Sequence, residues 1–326
     1  MAGTRAARFT PLLCAAALLC AAHPAQAQKW PERQIKIIAA SAPGGGFDLT
    51  ARVFADRLGT ALGTSFIVEN RTGAGTRRGT EAAAQAAPDG YTFLVGALPN
   101  IVHNTGFYKT LRYDPQKDFR VLGIPVMFPY TLVVPTSSPF QSLKDLVDYA
   151  KANPEKLNYG GGKGSGQQVA TAIVAHIAGI KLTAVPYRGA QAVHQDLLAG
   201  RIDLYFDNSS TARPLVEGGR LRAIVVSAKQ RLPYHPDVPT VRETGIADFD
   251  QESWFGLFAL SATPEPIVER MRAEMKKIAE NPEVRSFWEK SGGVPLNMTI
   301  AEQEKMIAQD LVTWKKRIID AGEQQE

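Results

Sequence analysis

Residues 35–46 read IKIIAASAPGGG: six mostly apolar residues, a short link and three consecutive glycines. The apolar run is typical of a buried strand, and the glycines that follow Pro43 predict a tight loop. Apolar side chains then recur at a helical spacing, at Leu49, Val53, Leu58 and Leu62. The segment therefore predicts a strand, a glycine loop and a helix in direct succession.

The same order of elements recurs further along the chain. Residues 66–69 (FIVE) predict a second strand, Gly73-Ala74-Gly75 a second loop, and the alanine-rich residues 79–87 a second helix. Pro88-Asp89-Gly90 ends that helix, and residues 91–95 predict the next strand. Strands that alternate with helices favour parallel βαβ units in an open α/β sheet.

Two long apolar segments divide the chain. Residues 126–134 form one, with prolines at 125, 129 and 135, and residues 254–260 form the other. A second α/β block lies between them, so we interpret them as crossings between two lobes. The predicted organisation is a first domain of residues 28–125 plus 252–326 and a second domain of residues 126–251.

The N-terminus has the pattern of a secretory signal peptide. Arg5 and Arg8 precede a short apolar run over residues 11–22, and Ala25-Gln26-Ala27 is a small-x-small cleavage site. The run is well short of the roughly 20 residues of a membrane-spanning helix, which disfavours a retained anchor. We expect cleavage after Ala27 and an exported, periplasmic protein. Cleavage would remove Cys14 and Cys20, the two cysteines, and a lipid-modified Cys20 is the less favoured alternative because bulky Leu19 precedes it.

Composition excludes several classes of protein. The 326 residues are 44% apolar and 21% charged, which excludes disorder, collagen and coiled coil. The 37 basic and 32 acidic residues give a net charge of +5 without a clustered basic stripe, so nucleic-acid binding is not expected.

Three glycine-rich loops, around residues 43–46, 73–75 and 160–166, lie between predicted strands and helices. Backbone N–H groups at such junctions bind anions, although each loop alone could be a plain βα turn. The sequence matches neither of two nucleotide-binding motifs. In a P-loop, Ser or Thr follows the lysine, but Lys163 is followed by glycine. The spacing of Gly73, Gly75 and Gly79 differs by one residue from the dinucleotide-binding pattern.

Several side chains near these loops allow two interpretations, a structural one and a ligand-binding one. Asp48 could cap a helix or contact a ligand, and Arg77 could pair with a carboxylate, whereas Arg78 is favoured as a solvated residue. Ser165 lacks the G-x-S-x-G pattern of a nucleophile and is interpreted as a hydroxyl donor at a helix start. The histidines show no metal-binding spacing, so no metal and no cofactor are expected.

Nine motifs, in order, resemble the solute receptors of the tripartite tricarboxylate transporters, often called the Bug family. They are Pro43-Gly44-Gly45-Gly46-x-Asp48, Val68-Glu69-Asn70-Arg71-x-Gly73-Ala74-Gly75, Ala87-Pro88-Asp89-Gly90-Tyr91-Thr92, Tyr113-Asp114-Pro115-x-x-Asp118-Phe119, Asn153-Pro154-x-x-Leu157-Asn158-Tyr159, Val185-Pro186-Tyr187-x-Gly189, Phe206-Asp207-Asn208, Asp237-Val238-Pro239-Thr240 and Ser253-Trp254-Phe255-Gly256-Leu257. The resemblance implies a two-lobed periplasmic binding protein of type II, Venus-flytrap-like, with two open α/β domains joined by crossing strands.

The resemblance also implies a function and a site. It implies a receptor that binds a small carboxylate between its domains. We expect a non-enzymatic monomer that delivers this ligand to membrane transporter subunits. Family ligands are held by the first glycine loop, by the helix start of the second domain and often by an acidic residue, which map to Gly44, Gly45, Gly46, Phe47 and Asp48, to Gly164, Ser165, Gly166 and Gln168, and to Asp207. This chain has Gly166 and Gln168 where the family usually has Ser or Thr and His, and it has Arg77 where the family has a small or amide residue.

Arg77 and Lys163 predict a ligand with more than one anionic group. Two other functions remain open at this point: an exported hydrolase or isomerase that uses Ser165 or Asp48, and a ligand sensor for a signalling partner.

Overall fold

The structure, a computed structural model, describes residues 3, 30–162 and 164–324. The predicted signal peptide, apart from Gly3, and Lys163 lie outside the described residues. The strands are β1 Ile35–Ala39, β2 Phe66–Asn70, β3 Thr92–Ala97, β4 Phe119–Pro135, β5 Asn158–Gly161, β6 Thr183–Pro186, β7 Tyr205–Asn208, β8 Leu221–Val226, β9 Glu252–Leu260 and β10 Val294–Pro295. The α-helices are α1 Gly46–Leu62, α2 Arg77–Ala84, α3 Asn104–Phe107, α4 Leu143–Ala152, α5 Gly166–Ala178, α6 Ala190–Leu198, α7 Ser209–Glu217, α8 Glu265–Glu280, α9 Pro282–Lys290 and α10 Ile300–Asp320.

The first lobe is built on a mixed sheet with the order β10-β4-β9-β3-β1-β2. β1 pairs parallel with β2 and β3, as the alternation of strands and helices predicts. β9 pairs antiparallel with β3 and with β4. The antiparallel half was not predicted; it arises because β4 leaves this lobe while β9 returns to it, so the two strands run in opposite directions.

Helices cover both faces of this sheet. Ile35 and Ile37 of β1 pack with Phe54 of α1 and Met271 of α8 in one apolar cluster. Ile38, on the other face of the strand, belongs to a second cluster that includes Trp314 of α10. The apolar run that opens β1 is thus buried from both sides, as a parallel strand between two layers of helix requires.

β4 belongs to both lobes. Up to Pro129, which pairs with Glu252, it lies beside β9; from Tyr130 onward it pairs with β7 and β8 of the second lobe. The change of partner lies a little beyond the boundary predicted before residue 126. The chain returns next to this point, where the Gln251 N–H donates to the Ser227 carbonyl at 2.8 Å.

In the second lobe, each helix start follows a strand. β5 pairs parallel with β6, and an isolated bridge between Tyr159 and Leu204 joins β5 to the segment that enters β7. α5, α6 and α7 begin just beyond β5, β6 and β7 respectively. The fold is a two-lobed α/β architecture in which strand ends and helix N-termini of both lobes face each other. In the described part of the chain, no helix has both the length and the apolar character needed to cross a membrane.

Candidate functional site

A cleft of about 810 Å³ lies between the two lobes. Its walls are the loops that join β1 to α1 and β2 to α2 on one side, and those that join β5 to α5 and β6 to α6 on the other. Tyr130 of β4, Phe255 of β9 and Asn208 at the end of β7 line it as well. Ligand sites of open α/β folds are expected at this place, outside the carboxyl ends of the strands.

Five of the helices that the structure describes begin at this cleft. The residue that caps each N-terminus is among the lining residues: Gly45 for α1, Thr76 for α2, Ser165 for α5, Gly189 for α6 and Asn208 for α7. The first N–H groups of a helix have no partner within the helix, and the helix dipole adds partial positive charge there. Both effects favour an anion at this position.

The charges of the lining agree in sign with that conclusion. Arg78 and Arg188 line the cleft, and no Asp, Glu, His or Cys does so among the described residues. A side chain that could act as a strong general base is therefore absent from this part of the lining. Across the described residues there is likewise no group of three or more His, Cys, Asp or Glu that could hold a metal ion.

The first glycine loop is held in shape by Asp48. Its buried carboxylate accepts hydrogen bonds from the Gly44 N–H and from Arg52, each at 3.0 Å. Burial opposes ionisation, but the bonds from Arg52 and Gly44 outweigh it and lower the pKa of Asp48. Gly44 to Phe47 line the cleft, whereas Asp48 lies behind the loop and supports it.

The third predicted loop, around residues 160–166, has the same division of roles. Ser165 and Gly166 line the cleft, and the Ser165 hydroxyl accepts a hydrogen bond from the Gln168 N–H at 3.3 Å. Gly164 and Gln168 are not lining residues: the Gln168 Oε1 accepts from the Gly164 N–H at 2.9 Å, and its Nε2 donates to Glu323 at 2.8 Å. Gln168 therefore connects this loop to the segment that follows α10.

Asp207 lies behind the cleft wall. Its fully buried carboxylate is 2.7 Å from His194 Nε2 and accepts a hydrogen bond from the Thr211 hydroxyl at 2.7 Å. The neighbouring Asn208 lines the cleft instead. Its Oδ1 accepts a hydrogen bond from the Ser210 N–H at 3.0 Å and so caps α7. Its Nδ2 faces Gly46 of the first lobe, where a Cβ built on that glycine would lie 3.6 Å away.

Arg77 and Arg78, which follow the loop of residues 73–75, have exchanged the positions that the sequence analysis expected for them. Arg77 is turned toward its own helix, with Nε 3.6 Å from Glu81 and the guanidinium 4.4 Å from the centre of the Tyr108 ring. It is not a lining residue; Arg78, interpreted as solvated, is. Helical geometry decides this outcome, because positions i and i+4 share a face and Glu81 draws Arg77 away.

The floor of the cleft is aromatic and buried. The rings of Phe47 and Phe255 meet edge to face at 5.2 Å between centroids, and Tyr130 is 2% exposed. Burial raises the pKa of Tyr130 to about 12, so its hydroxyl stays protonated at neutral pH and can donate a hydrogen bond. The sequence analysis did not identify four lining residues: Tyr130, Tyr205, Gln191 and Arg188. They come together only because β4 passes from one lobe to the other and the loops of the two lobes face each other.

Comparison with known proteins gives consistent matches. A family model described as "Tripartite tricarboxylate transporter family receptor" matches residues 50–323. A Cupriavidus necator protein, the UPF0065 protein in the gbd 5′ region, is 35% identical over 308 residues, which cover 94% of this chain and 93% of that protein.

Two solved structures contain a bound carboxylate. R. palustris Rpa4515 with adipate is 31% identical and superposes with a TM-score of 0.85, covering 90% of this chain and 98% of the other. MatC (Rpa3494) from Rhodopseudomonas palustris with bound malate is 28% identical, with a TM-score of 0.84, covering 89% and 100%.

Proposed function

The chain belongs to the tripartite tricarboxylate transporter receptor family, and we propose that it captures a small carboxylate between its lobes and delivers it to a membrane transporter of that type. Family membership makes it a solute-binding receptor and not an enzyme. The hydrolase or isomerase alternative is thereby set aside. A sensor for a signalling partner would use the same cleft, and transport assays with and without the receptor separate the two roles.

The convergence of five helix N-termini on one cleft carries this proposal. A carboxylate placed there meets N–H donors from both lobes, and each charge-assisted hydrogen bond is stronger than a neutral one. No lining carboxylate among the described residues competes with it. The same surface gives an uncharged solute no comparable advantage.

Contacts across the rim support capture by closure of the lobes. Ala42 of the first glycine loop faces Gly189 of the second lobe so closely that a Cβ built on Gly189 would lie 3.3 Å from the Ala42 Cβ. Gly44 faces the Gln191 side chain in the same way, at 3.5 Å. A ligand that bonds to both walls stabilises this closed arrangement, which is how hinge-closing receptors retain solutes.

We place the receptor in the periplasm after removal of residues 1–27. Receptors of this family are periplasmic, and the signal pattern at Arg5, Arg8 and Ala25-Gln26-Ala27 supports cleavage after Ala27. N-terminal sequencing of the exported protein tests the cleavage site directly: the chain should begin at Gln28.

The test of binding is calorimetry and thermal shift with a panel of mono-, di- and tricarboxylates, amino acids and neutral sugars. We expect at least one carboxylate to raise the melting temperature and to be recovered unchanged. Absence of any carboxylate binding, or binding of neutral solutes alone, would overturn the proposal.

A matched pair of variants locates the site. Ser165 and Ser142 cap α5 and α4 in the same way, each accepting a hydrogen bond from a backbone N–H, at 3.3 and 3.2 Å, but only Ser165 lines the cleft. Both alanine variants lose a cap and about 0.5–2 kcal/mol of stability. Ser165→Ala should in addition lower affinity about tenfold, and Ser142→Ala should leave it unchanged.

A further inference from the structure

In the described part of the chain, two arginines face the cleft from opposite lobes and have no acidic partner. Arg78 lies in the first turn of α2, in the first lobe, and Arg188 lies in the loop between β6 and α6, in the second. Neither guanidinium makes a hydrogen bond or ion pair with any residue that the structure describes. Other arginines beside the cleft are neutralised: Arg52 binds Asp48 at 3.0 Å, and Arg77 lies 3.6 Å from Glu81.

The two arginines and the N-termini of α5 and α7 lie at different depths. Gly166 and Asn208, at the starts of α5 and α7, are buried together with Tyr130 and Phe255 on the floor of the cleft. Arg78 and Arg188 are exposed at the rim. A ligand with one carboxylate on the floor would therefore extend its other end toward the two guanidinium groups.

From this arrangement we infer that the receptor selects ligands with two acidic groups, of which Arg78 and Arg188 bind the second. The inference rests on the proposed function, since it needs the first carboxylate on the floor. Guanidinium groups suit the second position because they present paired N–H donors to a planar carboxylate and stay charged at every physiological pH. The sequence expectation of a second anionic group is retained, with Arg78 and Arg188 as its basis in place of Arg77; Lys163 lies outside the described residues.

The positions of the arginines also make them specificity determinants that act on the closed receptor. Because Arg78 and Arg188 belong to different lobes, an acidic group bound by both would link the lobes, as the rim contacts of Ala42 with Gly189 do. A monoacid still binds at the floor of the cleft, but it has no second acidic group for Arg78 and Arg188 to bind. Selectivity for a diacid should then appear mainly as slower dissociation.

The experiment compares adipate with its monoamide, which keeps the length and the first carboxylate but replaces the second with a neutral group. Calorimetry is carried out on the wild type, Arg78→Gln, Arg188→Gln and the double variant. Arg220→Gln is the control for loss of one positive charge, because Arg220 is exposed in the second lobe and is not a lining residue. Circular dichroism and melting curves verify that every variant folds.

In the wild type we expect adipate to bind at least tenfold more tightly than the monoamide, since a charged hydrogen-bonded pair contributes on that order. Each single variant should reduce this ratio severalfold, and the double variant should bring it close to one while its affinity for the monoamide remains. Arg220→Gln should keep the wild-type ratio. If adipate is too long for the cleft, the same comparison with succinate and its monoamide applies.

The possible failures are distinguishable. Equal binding of diacid and monoamide by the wild type, or a double variant that keeps the wild-type ratio, would overturn this inference and leave the proposed function intact. Absence of binding of every acid of the panel by the wild type would overturn both.

Discussion

The hydroxyl of Tyr130 occupies the space that a side chain on Gly166 would need. A Cβ built on Gly166 overlaps the Tyr130 hydroxyl, and on its other side it would lie 3.2 Å from Pro99 Cγ. Glycine at this position lets the N-terminus of α5 approach the crossing strand β4, and the approach places a phenol hydroxyl on the floor of the cleft. The family resemblance implies a Ser or Thr here, and glycine at this position leaves the space to the Tyr130 hydroxyl.

Gly166→Ser should therefore weaken both stability and ligand binding. The added side chain forces Tyr130 or α5 to move, which costs about 1–3 kcal/mol in a well-packed site. Urea unfolding measures the loss of stability, and calorimetry with the carboxylate found in the panel measures the loss of affinity. Gly179→Ala is unsuitable as a control because its φ is +66°, so Ala172→Ser, farther along the same helix, serves instead. Wild-type affinity in Gly166→Ser would contradict the tight approach.

Asp48→Ala should reduce affinity without removing any group that lines the cleft. The variant leaves the Gly44 N–H and Arg52 without their shared acceptor, so the first glycine loop loses its fixed shape. We expect an affinity loss of about tenfold, in line with a charged hydrogen bond. Calorimetry should show the wild-type affinity for Asp56→Ala, because Asp56 is an exposed residue of the same helix and, among the residues that the structure describes, pairs only with Arg57 at 3.6 Å. Equal affinities of the two variants would show that the loop keeps its shape without Asp48.

Local sequence patterns predicted the helices of this fold well, because their determinants are local. Asn281 caps α9, Thr299 and Glu302 form a capping box at α10, and Gly63 ends α1 with φ +64°. The helix predicted after the first glycine loop, with apolar residues from Leu49 to Leu62, accordingly matches α1 over Gly46–Leu62. The antiparallel pairing of β9 has no local signal, because it depends on the direction in which the chain returns from the second lobe.

The site was predictable at the level of loops but not of single side chains. The loops around residues 43–46 and 160–166 were predicted as candidate anion sites because backbone N–H groups at helix starts bind anions, and both loops contribute lining residues. Asp207 and Asn208 show where that reasoning stops. They are adjacent in β7, yet Asp207 is turned to His194 while Asn208 lines the cleft, and this choice of face depends on what packs on each side of the strand.

His194→Gln should destabilise the second lobe. His194 is 7% exposed, and its Nε2 lies 2.7 Å from the fully buried Asp207, which links α6 to β7. The flexible glutamine amide keeps an N–H donor but not the fixed position of the ring nitrogen, so the buried carboxylate is less well compensated, which costs about 1–3 kcal/mol. Since the start of α6 lines the cleft, affinity for the ligand should fall as well. His176→Gln, at an exposed histidine of α5, should change neither the unfolding midpoint in urea nor the affinity; a His194 variant that behaved in the same way would argue against the link.

His103 should make the protein less stable in mild acid. It is fully buried 5.0 Å from the Trp314 ring, and neither ring nitrogen has a hydrogen-bond partner among the described residues. Burial lowers its pKa from 6.5 to about 3, so between these values the unfolded chain binds a proton that the folded protein does not. The contribution of His103 to the free energy of unfolding is therefore complete above pH 6.5 and falls as the pH drops, by about 2 kcal/mol at pH 5.

His103→Phe keeps a ring against Trp314 and removes the titration. Urea unfolding between pH 7.5 and 5 should therefore show a smaller loss of the free energy of unfolding for this variant than for the wild type. The exposed His176→Phe should leave the slope unchanged, and an unaltered slope in His103→Phe would show that other groups govern the acid sensitivity.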